Sequence, residues 1–176
     1  LSHSLVARRF GIPMKGITLF IFGGVAEMSE EAPDAKAEFW MALAGPASSL
    51  LVSSIFYLTS RYGASAGWSD PVTGVIGYLV WINIALAVFN LIPAFPLDGG
   101  RVLRSVLWGL RKNLRWATRV TSRLGSGFGI VMIVFGLYFI IRGQFIGGIW
   151  WFMIGLFLRN AAQMSYQQLL TRKALE

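Results

Sequence analysis

The sequence has no cysteine and a single histidine, His3, among its 176 residues. Without cysteine no disulfide can form, so cysteine usage says nothing about the redox state of the compartment. A closed structural zinc site of cysteines and histidines is also excluded within this chain, because such a site needs four of these ligands. No basic segment precedes an apolar core at the N-terminus, so no signal peptide is visible.

Acidic residues are also scarce, since eight Asp and Glu face sixteen Lys and Arg and leave a net charge of +8. Hydrophobic residues make up 55% of the chain and aromatic residues 14%. This composition indicates a protein that crosses a membrane several times rather than a soluble domain. The alternative suggested by the charge is a nucleic-acid-binding protein. The basic residues lie between apolar runs, so we interpret them as determinants of membrane orientation and expect no nucleic-acid partner.

Four apolar runs predict about four transmembrane helices. The last two runs are joined by only three residues, which predicts a tight turn and an antiparallel helical hairpin. Both are shorter than the roughly 20 residues that cross a bilayer, so we expect them to extend into flanking residues. The runs cover residues 39–58, 75–97, 127–141 and 145–158.

Two segments ahead of the first run have different patterns. Residues 15–28 place β-branched and aromatic residues on both sides of Gly23-Gly24, which predicts a small membrane-associated β-hairpin. Residues 27–38 hold five acids against one lysine, and we interpret them as a solvated connector without chemistry. The predicted fold class is an all-α polytopic membrane protein with one small β-hairpin, and residues 61–71 are expected to form a polar loop.

The second apolar run closes on the segment NLIPAFPLDGG, residues 90–100, and an ionisable residue at membrane depth is usually functional. On an unbroken helix Asn90 and Asp98 would stand about 12 Å apart along the axis. Pro93 and Pro96 each remove a backbone donor, so we expect the helix to unwind and to bring Asp98 to the depth of Asn90. Irregular backbone at membrane depth is tolerated only where protein or a water-filled cavity surrounds it, so the pattern predicts a functional site. The alternative is a helix that simply stops and turns.

Seven basic residues and no acid occupy residues 101–123, which predicts that this segment is cytoplasmic. Its hydrophobic spacing predicts a helix lying partly in the membrane interface. With this segment inside, the end of the N-terminal helix, the acidic connector and the C-terminal tail are expected to be cytoplasmic too. His3 and Asp98 then lie near cytoplasmic helix ends, at a similar depth.

The segment NLIPAFPLDGG resembles the second metal-binding motif of the site-2 protease family, the intramembrane zinc metalloproteases of peptidase family M50. The first residues, LSHSLVARRFGI, resemble the residues after the His-Glu pair of the HExxH motif in that family. On that alignment His3 is the second histidine of the motif. The Ala-Gly-Pro element at residues 44–46 also recurs in these proteases.

The resemblance implies that His3 and Asp98 bind Zn²⁺ and that Asn90 contacts the substrate peptide or the developing oxyanion. It places the other histidine and the catalytic glutamate upstream of Leu1, so the 176 residues alone are expected to be an inactive fragment. The substrate would be a membrane-spanning protein. The β-hairpin would offer an edge to an extended substrate peptide.

The basic segment, the late helical hairpin and the polar tail resemble the prokaryotic branch that carries C-terminal cystathionine-β-synthase-type (CBS) domains. This implies a partial protease core at residues 1–162 and a cytoplasmic tail at 163–176 that leads to regulatory domains, in a prokaryotic cell membrane. Two other classes stay open. A secondary transporter also uses a broken polar helix, although no second copy of the motif is visible. A non-catalytic membrane scaffold would lack the upstream His-Glu pair.

Overall fold

The computed structural model describes residues 2–11, 14–20, 23–28 and 32–175, with side chains described within 2–11, 32–167 and 169–171. The chain divides into two compact units, Leu1–Leu91 and Ile92–Glu176. The elements in chain order are α1 (Ser2–Arg9), β1 (Met14–Phe20), β2 (Gly23–Met28), α2 (Ala35–Ser65), α3 (Asp70–Asn90), α4 (Asp98–Arg111), α5 (Leu114–Ile141) and α6 (Phe145–Leu175).

Helix α2 organises the first unit. Its start is fixed by Asp34, whose carboxylate accepts a hydrogen bond of 2.6 Å from the backbone N–H of Ala37. The helix contains 31 residues, which corresponds to about 46 Å of length. Helix α1 packs on it through Ala7 and Met41, which are both buried. Helix α3 packs further along, where the Ser53 hydroxyl donates to the Val80 carbonyl at 3.1 Å.

Two predictions for this unit are wrong. The polar loop expected at 61–71 is reduced to residues 66–69, because α2 continues through Arg61 and Gly63 before α3 begins. The acidic connector expected at 27–38 ends inside α2, and Glu38 is fully buried instead of solvated. The cause is helical spacing, since Glu38 and Met41 are three residues apart and therefore lie on the same face of α2.

Strands β1 and β2 form an antiparallel pair in which Phe20 lies opposite Gly23 and Met14 opposite Met28. Gly23 and Gly24 are therefore residues of β2, and the expectation that this pair separates the two strands is wrong. The connection falls at residues 21–22, which lie outside the described residues. The membrane association of the hairpin stays a prediction.

Helices α5 and α6 form the antiparallel hairpin that was predicted, with Gly143 in the turn at a φ of +84°. Their backbones approach closely at glycines, as small residues allow between membrane helices. A methyl group on Gly129 would lie 2.7 Å from the carbonyl oxygen of Gly155. Both helices extend well beyond the apolar runs, which confirms the predicted recruitment of flanking residues.

The basic segment 101–123 is helical, but the prediction of a single helix is wrong. Helix α4 ends at Arg111, and Lys112 adopts a left-handed conformation with a φ of 50°. Helix α5 then begins after Asn113, whose side chain accepts a hydrogen bond of 3.0 Å from the backbone N–H of Trp116. This asparagine cap supplies the new helix start that the hydrophobic spacing did not reveal.

Four helices of the described chain are long and apolar enough to cross a membrane. This agrees with the four apolar runs and confirms the helical, multi-span part of the predicted fold class. The candidate spans are Ala35–Ser65, Asp70–Asn90, Leu114–Ile141 and Phe145–Thr171.

We expect Gly155→Ala to lower the free energy of unfolding by about 1–3 kcal/mol, the usual cost of overpacking. The added methyl group would lie 2.6 Å from the carbonyl oxygen of Gly129. Gly147→Ala in the same helix is the matched control, because a methyl group there meets no atom within 4 Å. Unfolding of both variants in detergent micelles measures the difference, and equal stabilities would contradict a close contact of α5 and α6 at Gly155.

Candidate metal centre

His3 lies in the first turn of α1 and is half-buried. Its Nδ1 atom is 2.7 Å from the backbone carbonyl oxygen of Met41 in α2. A carbonyl oxygen can only accept a hydrogen bond, so Nδ1 carries the proton and donates it. In the neutral imidazole, Nε2 then carries the lone pair.

This arrangement fits a zinc ligand. Metal-binding histidines almost always donate their other ring N–H to a carbonyl or a carboxylate, which fixes the tautomer and the ring orientation. The Met41 carbonyl provides this acceptor, and its position is fixed because it belongs to the backbone of a long helix. His3 therefore has the orienting contact that a zinc ligand would need, and its role as a ligand stays a prediction.

Asp98 is the first residue of α4 and is half-buried. Helix α3 ends at Asn90, and the chain then turns irregularly before α4 begins, with a cis peptide bond between Phe95 and Pro96. The predicted unwinding is thus confirmed. We refer to residues Ile92–Leu97 as the proline loop. Asp98 follows it directly, at a helix N-terminus where the backbone dipole favours a negative charge.

The proline loop is held by close backbone contacts within the second unit. The Phe95 N–H donates a hydrogen bond of 3.4 Å to the Thr121 carbonyl oxygen of α5. A methyl group on Gly125 would collide with the Phe95 carbonyl oxygen, and one on Gly100 would lie 2.5 Å from the Ala94 carbonyl carbon. Glycine at these two positions is what allows the loop to pass so close to α4 and α5.

Arg104 of α4 adds a side-chain contact to the proline loop. Its guanidinium carbon lies 5.2 Å from the centre of the Phe95 ring, a cation–π distance. Arg104 is only 8% exposed, and Phe95 is likewise buried. An arginine this deeply buried is unusual and marks a contact that the fold maintains.

The predicted site residues are divided between the two units. His3 and Asn90 belong to the first unit, with Asn90 half-buried at the last residue of α3, and Asp98 belongs to the second. Among the described residues there is no group of three or more His, Asp or Glu that could hold a metal ion. That His3, Asp98 and Asn90 act in one site stays a prediction.

Sequence reasoning misjudged the burial of two charged residues and missed one glycine contact. Glu38 was assigned to a solvated segment, although its spacing from Met41 along α2 could have indicated a buried face. Arg104 was counted among the basic residues that set orientation. Gly125 carried no signal, because its role depends on a loop that is thirty residues away in sequence.

Comparisons of this sequence with a family model and with curated proteins point to the same family. The sequence model of Peptidase family M50 matches residues 1–67 and 61–136. A Synechocystis protein, sll0528, is 40% identical over 100% of this chain and 46% of its own length, and its name describes it provisionally as a zinc metalloprotease. The zinc metalloprotease MJ0392 of Methanocaldococcus jannaschii is 33% identical over 78% of this chain and 39% of its own length.

A solved structure agrees with these sequence relatives. The site-2 protease from Methanocaldococcus jannaschii superimposes with a TM-score of 0.70 and 28% identity, covering 94% of this chain and 70% of that one. The chain spans less than half the length of the curated relatives it matches. With its four apolar helices, it is an integral membrane protein. This chain therefore belongs to peptidase family M50 and has the fold of a site-2 protease.

Proposed function

We propose that the protein containing this chain is an intramembrane zinc metalloprotease that cleaves membrane-spanning segments of other proteins. The observation that carries the proposal is the 2.7 Å hydrogen bond from His3 Nδ1 to the Met41 carbonyl oxygen. Zinc-binding histidines are typically oriented by a contact of this kind, and His3 would then bind the metal through Nε2. Membership of family M50 and the relatives named as zinc metalloproteases support the same function.

Within this chain, His3 and Asp98 would bind the zinc ion, which when bound polarises a carbonyl group and lowers the pKa of a water molecule. A catalytic zinc site uses three protein ligands and one open position, so a third ligand would be needed beside His3 and Asp98. By resemblance that ligand and the general base belong to an HExxH motif upstream of Leu1. The proline loop would hold the Asp98 carboxylate at the start of α4.

Asn90 and the β-hairpin would act on the substrate. The Asn90 amide can donate a hydrogen bond to the substrate backbone or to the oxyanion, a contact that contributes about 3 kcal/mol in other proteases. The β1–β2 pair would lie at the membrane and offer a strand edge to an unwound peptide. The basic segment and the C-terminus would be cytoplasmic, followed by regulatory CBS domains.

Removal of the metal tests this function directly. We expect the purified full-length protein to contain about one zinc ion per chain. Dialysis against a chelator should abolish cleavage of a transmembrane substrate in detergent, and added Zn²⁺ should restore it. Metal content by mass spectrometry and product by gel electrophoresis give the two readouts. A protein that cleaves equally well after the metal has been removed would refute the proposal.

A non-catalytic scaffold and a transporter are the alternatives from other classes. The comparisons do not favour either, since the relatives are named as metalloproteases. A preparation that holds no zinc and cleaves no substrate would favour a scaffold or a transporter over a protease.

A further inference from the structure

We propose that Arg104 is a positioning residue for Asp98, acting through the ring of Phe95. The inference rests on the proposed function, because it concerns how a zinc ligand is held. It is carried by three observations within the second unit: the buried guanidinium, its contact with Phe95, and the place of Phe95 in the loop that leads into Asp98.

The geometry connects Arg104 to Asp98 in two ways. Both residues lie on α4, about 9 Å apart along the helix axis by helical rise. They are also connected through the proline loop, because Phe95 precedes Asp98 by three residues and packs under the Arg104 guanidinium. The contact therefore connects the proline loop, which precedes Asp98, to Arg104, which follows it on α4. We infer that this connection helps to set the orientation of Asp98.

The chemistry requires arginine at this place. A guanidinium group is planar, is weakly hydrated and can stack on an aromatic face while it is buried. A lysine ammonium is a compact and strongly hydrated charge, and desolvating it in the same space is less favourable. Arg104→Lys should therefore keep the charge but lose the stacking that holds Phe95.

Backbone contacts fix the path of the loop, and the aromatic contact adds a side-chain connection between the loop and α4. The Phe95 N–H is bonded to Thr121, and Gly125 admits the Phe95 carbonyl group. These contacts locate the Phe95 backbone, and the Gly100 N–H of α4 donates to the Leu97 carbonyl oxygen of the loop at 3.0 Å. The Phe95 ring adds the side-chain contact between the loop and Arg104. Residues that orient a metal ligand typically change metal affinity by roughly 10–100-fold when they are replaced.

The experiment measures zinc affinity of the full-length protein in detergent by competition with a chromophoric chelator. We expect Arg104→Lys and Phe95→Leu each to weaken zinc binding by about tenfold, and to change the visible absorption of the Co²⁺-substituted protein. Phe95→Tyr, which keeps the ring, should behave as the wild type. The double variant Arg104→Lys/Phe95→Leu should bind zinc no more weakly than Phe95→Leu alone, because the two residues act as one unit.

The matched control is Arg111→Lys. Arg111 lies on the same helix and makes the same kind of contact, 4.2 Å from the Trp116 ring centre, but it is exposed and its ring partner lies in α5 rather than in the proline loop. Its zinc affinity and Co²⁺ spectrum should match the wild type. A merely structural role for Arg104 would change the melting temperature and leave the affinity and spectrum of the folded protein unaltered.

Wild-type zinc affinity in Arg104→Lys would overturn the inference, as would full additivity in the double variant. If Arg104→Lys does not fold, Phe95→Leu against Phe95→Tyr tests the same contact, and equal zinc affinities in that pair would overturn it. Failure of the proposed function has a different outcome, in which the wild-type protein binds no zinc or Asp98→Ala binds it as tightly as the wild type.

Discussion

The Asp98→Ala variant of the full-length protein is expected to lose its zinc and to cleave a transmembrane substrate at least about a thousandfold more slowly. Polarisation by a bound metal contributes several kcal/mol to the transition state, and about 1.4 kcal/mol corresponds to a factor of ten in rate. The amide of Asp98→Asn has a similar shape but is a weaker metal ligand than a carboxylate. This variant should therefore also lose most of the activity. Zinc content and cleavage rate are measured on the same preparations.

Asp70→Ala is the control for this loss. Asp70 is also the first residue of a helix, α3, but it is exposed and lies ahead of an apolar span. Its removal tests whether any carboxylate at a helix start affects activity, and we expect cleavage and zinc content close to the wild type. Full zinc content and cleavage in Asp98→Ala would mean that this carboxylate is not a ligand.

The second large effect is expected for Gly125→Ala. A methyl group at this position collides with the Phe95 carbonyl oxygen and lies 2.9 Å from the Phe95 carbonyl carbon. Neither side can yield easily, because both atoms belong to backbone and α5 is a continuous helix. We expect the proline loop to be displaced, the stability to fall by about 1–3 kcal/mol, and cleavage to fall more than stability explains.

Gly127→Ala separates this effect from a general change in helix propensity. Gly127 lies two residues away on α5, and a methyl group there meets no atom within 4 Å. Replacing a helical glycine with alanine should stabilise the helix by up to about 1 kcal/mol. Activity and unfolding are measured at a temperature where both variants are folded. If Gly125→Ala behaves like Gly127→Ala, the Phe95 carbonyl group is not held against α5.

Local rules predicted much of the fold. Pro93 and Pro96 forbid a regular helix, and in the structure α3 indeed ends at Asn90, before the proline loop that leads to Asp98. The short connector around Gly143 permits only a tight turn, and α5 and α6 form the expected hairpin. In these cases the constraint is contained within a few consecutive residues, so the sequence is sufficient.

The errors arose where distant packing decides the outcome. Glu38 is buried because neighbouring structure covers one face of α2, and composition cannot report which face is covered. The break at Lys112 was missed because it uses a left-handed lysine without glycine, although Asn113 as a helix cap was a usable signal. Asp98 was singled out by its position at membrane depth, and the zinc-ligand roles of His3 and Asp98 came from resemblance. The Met41 carbonyl and the Arg104–Phe95 contact required coordinates.

The acceptor that orients His3 is a main-chain atom, so mutational genetics would not detect it. Every amino acid at position 41 carries the same carbonyl group, and Met41→Ala or Met41→Leu therefore leaves the hydrogen bond to His3 in place. An alanine scan or a deep mutational library would record position 41 only as a packing position. Selection can change this side chain according to its packing against α1, while the carbonyl group that orients the imidazole stays the same.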